Sequence, residues 1–82
     1  MTIFTGNLAK DVTEEDLRKA FKAYGQVSFV NIVKDRSNRV STGFGFLQMP
    51  DQTEAKEAIL ALHGITMKGQ AIVVNEAGPR SK

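Results

Sequence analysis

The sequence contains no cysteine and no tryptophan, two prolines and one histidine. Without cysteine no disulfide can staple the chain, and the cysteine-based zinc frameworks and thiol redox motifs are excluded. The single histidine, His63, has no constellation of carboxylates around it in sequence, which argues against metal-ion and acid–base chemistry. Apolar runs extend only a few residues, far short of the roughly 18 to 20 that a membrane span requires. The opening MTIFTGNLAKD places no basic leader before an apolar stretch, so no secretory signal is expected and the cytoplasm is the expected setting. Charge of one sign is also scarce, with a formal net charge of +2.

What is present fits one small folded domain. The chain has 82 residues, 41% of them hydrophobic, an ordinary apolar fraction that disfavours disorder. The small positive excess is not spread evenly. Residues 27–49 carry Lys34, Arg36 and Arg39 against Asp35, and residues 65–82 carry Lys68, Arg80 and Lys82 against Glu76. Residues 50–64 are net acidic. Such clusters are usually solvated surface and gain meaning only beside other features suited to a polyanion.

Two amphipathic helices are predicted. Thr13 is a candidate N-cap, followed by Glu14, Glu15 and Asp16 in the positive field of a first turn. Leu17, Ala20, Phe21 and Tyr24 then form an apolar stripe, and Gly25 is expected to supply a left-handed stop. The second helix follows Pro50 and the cap Asp51, with Ala55, Ala58, Ile59 and Leu62 as its stripe and Gly64 as its end. His63, in its last turn, is expected to favour the helix dipole. Strands are predicted at Thr2 to Thr5, Val27 to Val33, Phe44 to Met49 and Ala71 to Asn75, the central pair joined by the polar loop DRSNRVST. The order βαββαβ implies an α+β, ferredoxin-like sandwich: a four-stranded antiparallel sheet with both helices packed on one face.

The other face poses a question. Strand side chains alternate between faces. In TGFGFLQM, Leu47 and Met49 are the large apolar pair of one parity, so Thr42, Phe44, Phe46 and Gln48 point away from the helices. Ile3 likewise points inward and Phe4 outward. Most of the chain's phenylalanine is therefore spent where folding gains least.

Those same residues resemble the RNA recognition motif. Its long signature, K/R-G-F/Y-G/A-F-V-x-F/Y, is similar to Thr42–Met49, and IFTGNL at Ile3–Leu8 is similar to the short one. The two lie in the order the family uses, and VNEAGPR at Val74–Arg80 resembles the end of its fourth strand. The resemblance covers essentially the whole chain, with residues 1–77 as the motif and 78–82 as a basic tail. It implies that the first and third strands lie side by side at the sheet centre. It also implies that Phe4 and Phe46 each stack one base of single-stranded RNA while Phe44 packs against the sugars between them. Asn75 is placed beside the Phe4 site. Phe29 shares the outward parity but stands near a strand start, where bulges are common, and is given no role.

Two departures bear on function and packing. The signature's leading cation is replaced by Thr42, whose hydroxyl can donate a hydrogen bond but carries no charge, leaving Arg39 or Arg80 to meet phosphate. Met49 and Thr5 are unusual occupants of inward positions, while Gly43 and Gly45 are expected to let a helix approach the sheet. Single-stranded DNA is admitted alongside RNA, because stacking does not read the 2′-hydroxyl. A protein-binding role for the same aromatic face is the main alternative. A small acyl-phosphate hydrolase of similar topology is a weaker one, since GNLAKD lacks the arginine an anion-cradling loop needs. The expected protein is a monomeric, non-catalytic RNA-binding module with no cofactor or metal.

Overall fold

A computed structural model describes residues 1–37 and 41–77. Arg39 and the basic tail with Arg80 lie outside the described residues. The elements run β1 (Thr2–Gly6), α1 (Glu14–Lys22), β2 (Phe29–Lys34), β3 (Ser41–Gln48), α2 (Gln52–Leu62), β4 (Thr66–Met67), β5 (Gln70–Ala71) and β6 (Val73–Glu76). Four of the strands form one antiparallel sheet in the order β2-β3-β1-β6, which puts β1 and β3 at its centre. Both helices lie on one face, α1 against β2 and α2 against β6. The fold is the expected ferredoxin-like sandwich.

Local chemistry accounts for the helix starts. Thr13 accepts the Asp16 amide at 3.1 Å and the Asp16 carboxylate accepts the Thr13 amide at 2.9 Å, a closed capping box. Asp51 caps α2 by accepting the Glu54 amide at 2.9 Å. The helix ends differ from expectation. Gly64 is left-handed, with φ of 88°, but Gly25 is not among the residues of positive φ. Gly25 is instead needed for space, because a Cβ there would run into the Glu54 side chain. That side chain accepts the Gln26 amide at 3.2 Å and so ties the end of α1 to the start of α2. Tyr24, assigned to the buried stripe, lies at the exposed end of α1; Leu17 and Phe21 carry the burial.

Three strand assignments also shift. β3 begins at Ser41 rather than Phe44, because Ser41 still pairs with Lys34 beyond a bulge between Ile32 and Lys34. β2 begins at Phe29 rather than Val27. The last strand is divided: Gln70–Ala71 pairs with Thr66–Met67, and only Val73–Glu76 joins the main sheet. Lys68 and Gly69, with φ of 50° and 91°, form the turn of that small hairpin. Two successive positive φ values make a type I′ turn, whose twist matches that of the flanking strands.

The core lies between sheet and helices, with Ile3, Leu17, Phe21, Leu47, Met49, Ile72 and Val74 at its centre. Thr5 is fully buried among them, and its hydroxyl donates to the Gly45 carbonyl at 3.1 Å, so the buried oxygen is satisfied. Both outer strands are covered by helix-derived side chains. Glu14 accepts the Ile32 amide on β2 at 3.1 Å, and His63 Nδ1 accepts the Val74 amide on β6 at 3.0 Å. His63 thus meets the edge of β6, its Nδ1 3.0 Å from the Val74 amide nitrogen and from the Val74 carbonyl oxygen. Edge amides that already have partners offer less to a stray strand.

Candidate nucleic-acid interface

The register builds the open face row by row. Phe4 on β1 stands opposite Asn75 on β6 and Phe46 on β3, and Phe46 stands opposite Asn31 on β2. One transverse row therefore reads Asn75, Phe4, Phe46, Asn31, all neutral side chains. The Phe46 ring meets Phe4 edge-on, with centroids 5.7 Å apart and planes at 60°. Phe44 lies 5.8 Å from Phe4, tilted by 32°. Tilted and edge-on pairs are the arrangements the ring quadrupoles favour, so the three rings hold one another in place.

Sequence parity placed these rings correctly. Phe44 is 48% exposed and Phe46 37%, whereas their neighbours Gly45, Leu47 and Met49 are buried. Asn75 lies exposed in the same row, as does Asn31. Gly6, which the sequence left unremarked, belongs to the site. A Cβ there would lie 3.1 Å from two atoms of the Phe4 ring and 3.6 Å from Phe44. Its missing side chain lets the Phe4 ring lie along the strand. A small residue two positions beyond an outward aromatic was the available signal.

The other glycines act differently from expectation. Gly45 faces the helix side, but a Cβ there would meet the Asn31 carbonyl oxygen at 3.0 Å and the Thr5 hydroxyl at 3.1 Å, not a helix. Gly43 adopts φ of 91° and passes close to the backbone of Leu8, whose amide donates to the Gly43 carbonyl at 3.0 Å. The glycines shape β3 rather than the helix packing.

Thr42 is exposed, and its hydroxyl donates to the Val33 carbonyl at 3.1 Å. Its proton is committed to the sheet, which leaves only lone pairs facing outward. Phe29 is in register, opposite Gln48, and 53% exposed on the same face as the three rings. The bulge expected near it lies four residues further on. Cationic side chains described at the other end of β2, near Thr42, are Lys34 and Arg36, both exposed.

Away from the face, Asp16 joins a small polar lock. Lys68 Nζ lies 3.0 Å from its carboxylate and donates to the Asp11 carbonyl at 2.9 Å. The Thr13 amide, and after it Lys68, hold the Asp16 carboxyl below the usual carboxylate range. Among the described residues no group of three or more His, Asp or Glu is arranged to hold a metal. Among the same residues no helix is long and apolar enough to cross a membrane.

Comparison with known proteins agrees with this geometry. The sequence pattern of the RNA recognition motif matches residues 3–73. RbpE of Nostoc sp. strain PCC 7120, a candidate RNA-binding protein, is 40% identical over 82 residues, all of this chain and 83% of its own. The chloroplastic RNA-binding protein CP31B of Arabidopsis thaliana is 41% identical over 80 residues, 98% of this chain and 28% of its own. The crystal structure of the RNA-binding protein PG1 superposes with a TM-score of 0.92 at 38% identity, covering 100% of this chain and 99% of that one. The Sxl-lethal protein in complex with RNA superposes at 0.90 with 26% identity, covering 99% of this chain and 48% of that one. The two signatures, the sheet order and the matched span converge: the chain belongs to the RNA recognition motif family.

Proposed function

We propose that residues 1–77 form a single-stranded RNA-binding module that stacks bases on Phe4 and Phe46, with Phe44 against the intervening sugars. One observation carries this reading. Phe4 and Phe46 stand opposite each other in one row at the sheet centre, Phe44 leans on Phe4, and no described element covers them. A π-face suits any base, and stacking on an aromatic is worth about 1–3 kcal/mol per base by truncation. Asn75 and Asn31 close the row with carboxamides, each offering donors and an acceptor to a base edge. The family membership favours RNA over the protein-face and acyl-phosphate alternatives, and the module acts by binding rather than catalysis.

The phosphate path follows from what the row lacks. Its side chains carry no charge, and the Thr42 proton is already engaged. Arg39 in the central loop and Arg80 in the 78–82 tail are therefore assigned the phosphate contacts, with Thr42 as a neutral neighbour. The module works as a monomer in the cytoplasm and tolerates single-stranded DNA to the extent that stacking dominates. The test is a titration of isotope-labelled protein with mixed-sequence single-stranded RNA, with matched DNA beside it, followed by amide chemical shifts. Perturbation confined to β1, β3 and their open-face neighbours is expected. Shifts confined to the outer surfaces of α1 and α2, or none with RNA at low salt, would overturn the assignment.

A further inference from the structure

Four of the chain's five phenylalanines lie on the open face, but only three of them touch. The fourth, Phe29, is the most exposed of the chain's exposed large aromatics at 53%. Its cross-strand partner is Gln48, while the partner of Phe46 is Asn31. Phe29 and Asn31 are two residues apart on β2, and Phe46 and Gln48 are two apart on β3. These four side chains therefore mark the corners of one quadrilateral on the sheet surface. Two rings occupy one diagonal and two carboxamides the other.

Diagonal neighbours of this kind are separated by about 7–8 Å between strands, close enough for large groups to act together. Strand propensity accounts for an aromatic in β2, but not for its placement diagonal to a stacking ring, with an amide at each remaining corner. Neither amide side chain makes a hydrogen bond to any described residue. Each presents two N–H donors and one carbonyl acceptor, the inventory needed to address the edge of a base.

We infer that Phe29, Asn31 and Gln48 form a further nucleotide subsite, adjoining Phe46, in which Phe29 stacks one more base of the same single strand. The two carboxamides contact the edges of the bases on either side. This inference rests on the proposed RNA-binding face and extends it toward the β2 edge, away from Asn75. The occupant is a nucleotide because the patch continues the Phe4–Phe46 row and repeats its ring-and-amide composition. The subsite adds reach, and it adds discrimination that the rings alone lack, since stacking tolerates every base.

Binding of two- and four-nucleotide oligouridylate and oligoadenylate to wild type, Phe29→Ala, Phe29→Tyr and Phe46→Ala separates the possibilities. Phe29→Ala is expected to weaken the four-nucleotide ligands by between about fivefold and 150-fold, and to leave the two-nucleotide ligands unchanged. Phe29→Tyr, which keeps the π-face, retains wild-type affinity. Phe46→Ala weakens both lengths. Equal affinity of Phe29→Ala and wild type for both lengths, while Phe46→Ala is weakened, would overturn the subsite and leave the RNA-binding face standing. No binding of any oligonucleotide by wild type would instead overturn the face itself. A thermal melt of Phe29→Ala confirms folding, and should it unfold, Phe29→Leu, which keeps an apolar strand residue without a π-face, carries the same comparison.

Discussion

Phe46 and Leu47 are neighbours in sequence, yet their truncations are expected to fail in opposite ways. Leu47 is fully buried against the helices. Replacing a buried Leu by Ala costs about 2–5 kcal/mol through lost transfer energy and residual cavity. A domain of this size has a total stability of roughly 4–12 kcal/mol, so Leu47→Ala removes a large part of it. At about 4–8 °C per kcal/mol, the midpoint falls by roughly 8–40 °C. Phe46 is 37% exposed, so it is not a bystander to stability: the buried part of the ring and its edge contact with Phe4 set a cost of about 1–2 kcal/mol. The open face is therefore less neutral than parity alone suggests. For binding the order reverses. Phe46→Ala loses a stacking platform worth about 1–3 kcal/mol, between roughly fivefold and 150-fold in Kd. Leu47→Ala binds normally once affinity is expressed per folded molecule. Urea denaturation gives the stabilities, and fluorescence anisotropy with labelled single-stranded RNA in the cold gives the affinities. A folded Leu47→Ala that loses affinity, or a Phe46→Ala that retains it, would refute the two-sided sheet.

Three further outcomes follow from single contacts. Gly6→Ala places a methyl 3.1 Å from the Phe4 ring, which must move; RNA affinity should fall severalfold while the urea midpoint changes little, because a ring yields more easily than backbone. Thr42→Lys should raise affinity and steepen the dependence of log K on log salt by about 0.7 if the phosphate site is open, and Arg39→Ala should shallow it by a similar amount if Arg39 fills that site; an unchanged slope in both moves the phosphate path elsewhere. The Asp16 carboxyl is held below its unfolded value, so its stabilising contribution is present above the unfolded pKa of about 3.8 and is lost as pH falls through the folded value. Asp16→Asn should therefore flatten the acid side of the stability–pH curve, and an identical acid limb in the variant would contradict the capping box as the source.

Alternation made the site legible before any coordinates. In β3 the sequence of large residues, Phe44, Phe46, Leu47, Met49, admits only one parity that buries Leu47 and Met49 together, and the rings follow to the other side. The same logic fixed Ile3 and Phe4. Capping was equally readable at Thr13 and Asp51, since an N-cap needs only its own side chain and an amide three residues on. Misreadings cluster where a residue answers to something distant in sequence. Gly25 looked like a left-handed stop because a glycine after an apolar stripe usually is one, but the Glu54 side chain dictates its size. His63 looked like a dipole partner because its own helix was the only visible neighbour; its true partner is eleven residues away. The division of the last strand hinged on two residues of positive φ, of which only the glycine at 69 announced itself.

These distant contacts bear on function through the sheet they hold. A face that binds by stacking needs its rings at fixed heights and spacings, and their spacing is set by backbone register, not by the rings. Thr5, directly beside Phe4, binds the carbonyl of Gly45, directly beside Phe46, on the hidden side of the sheet. One buried hydroxyl thus joins the two strands at the pair of residues that carry the central rings, in the space that the absent Cβ of Gly45 leaves. Glu14 and His63 hold the outer strands at Ile32 and Val74, each adjacent to a carboxamide of the same row, Asn31 and Asn75. The unusual polar residue in the core and the side chains on the two edges therefore fix the four members of the Asn75–Phe4–Phe46–Asn31 row from behind. The solvent side of the row stays open because the hydrogen bonds that order it are made on the other.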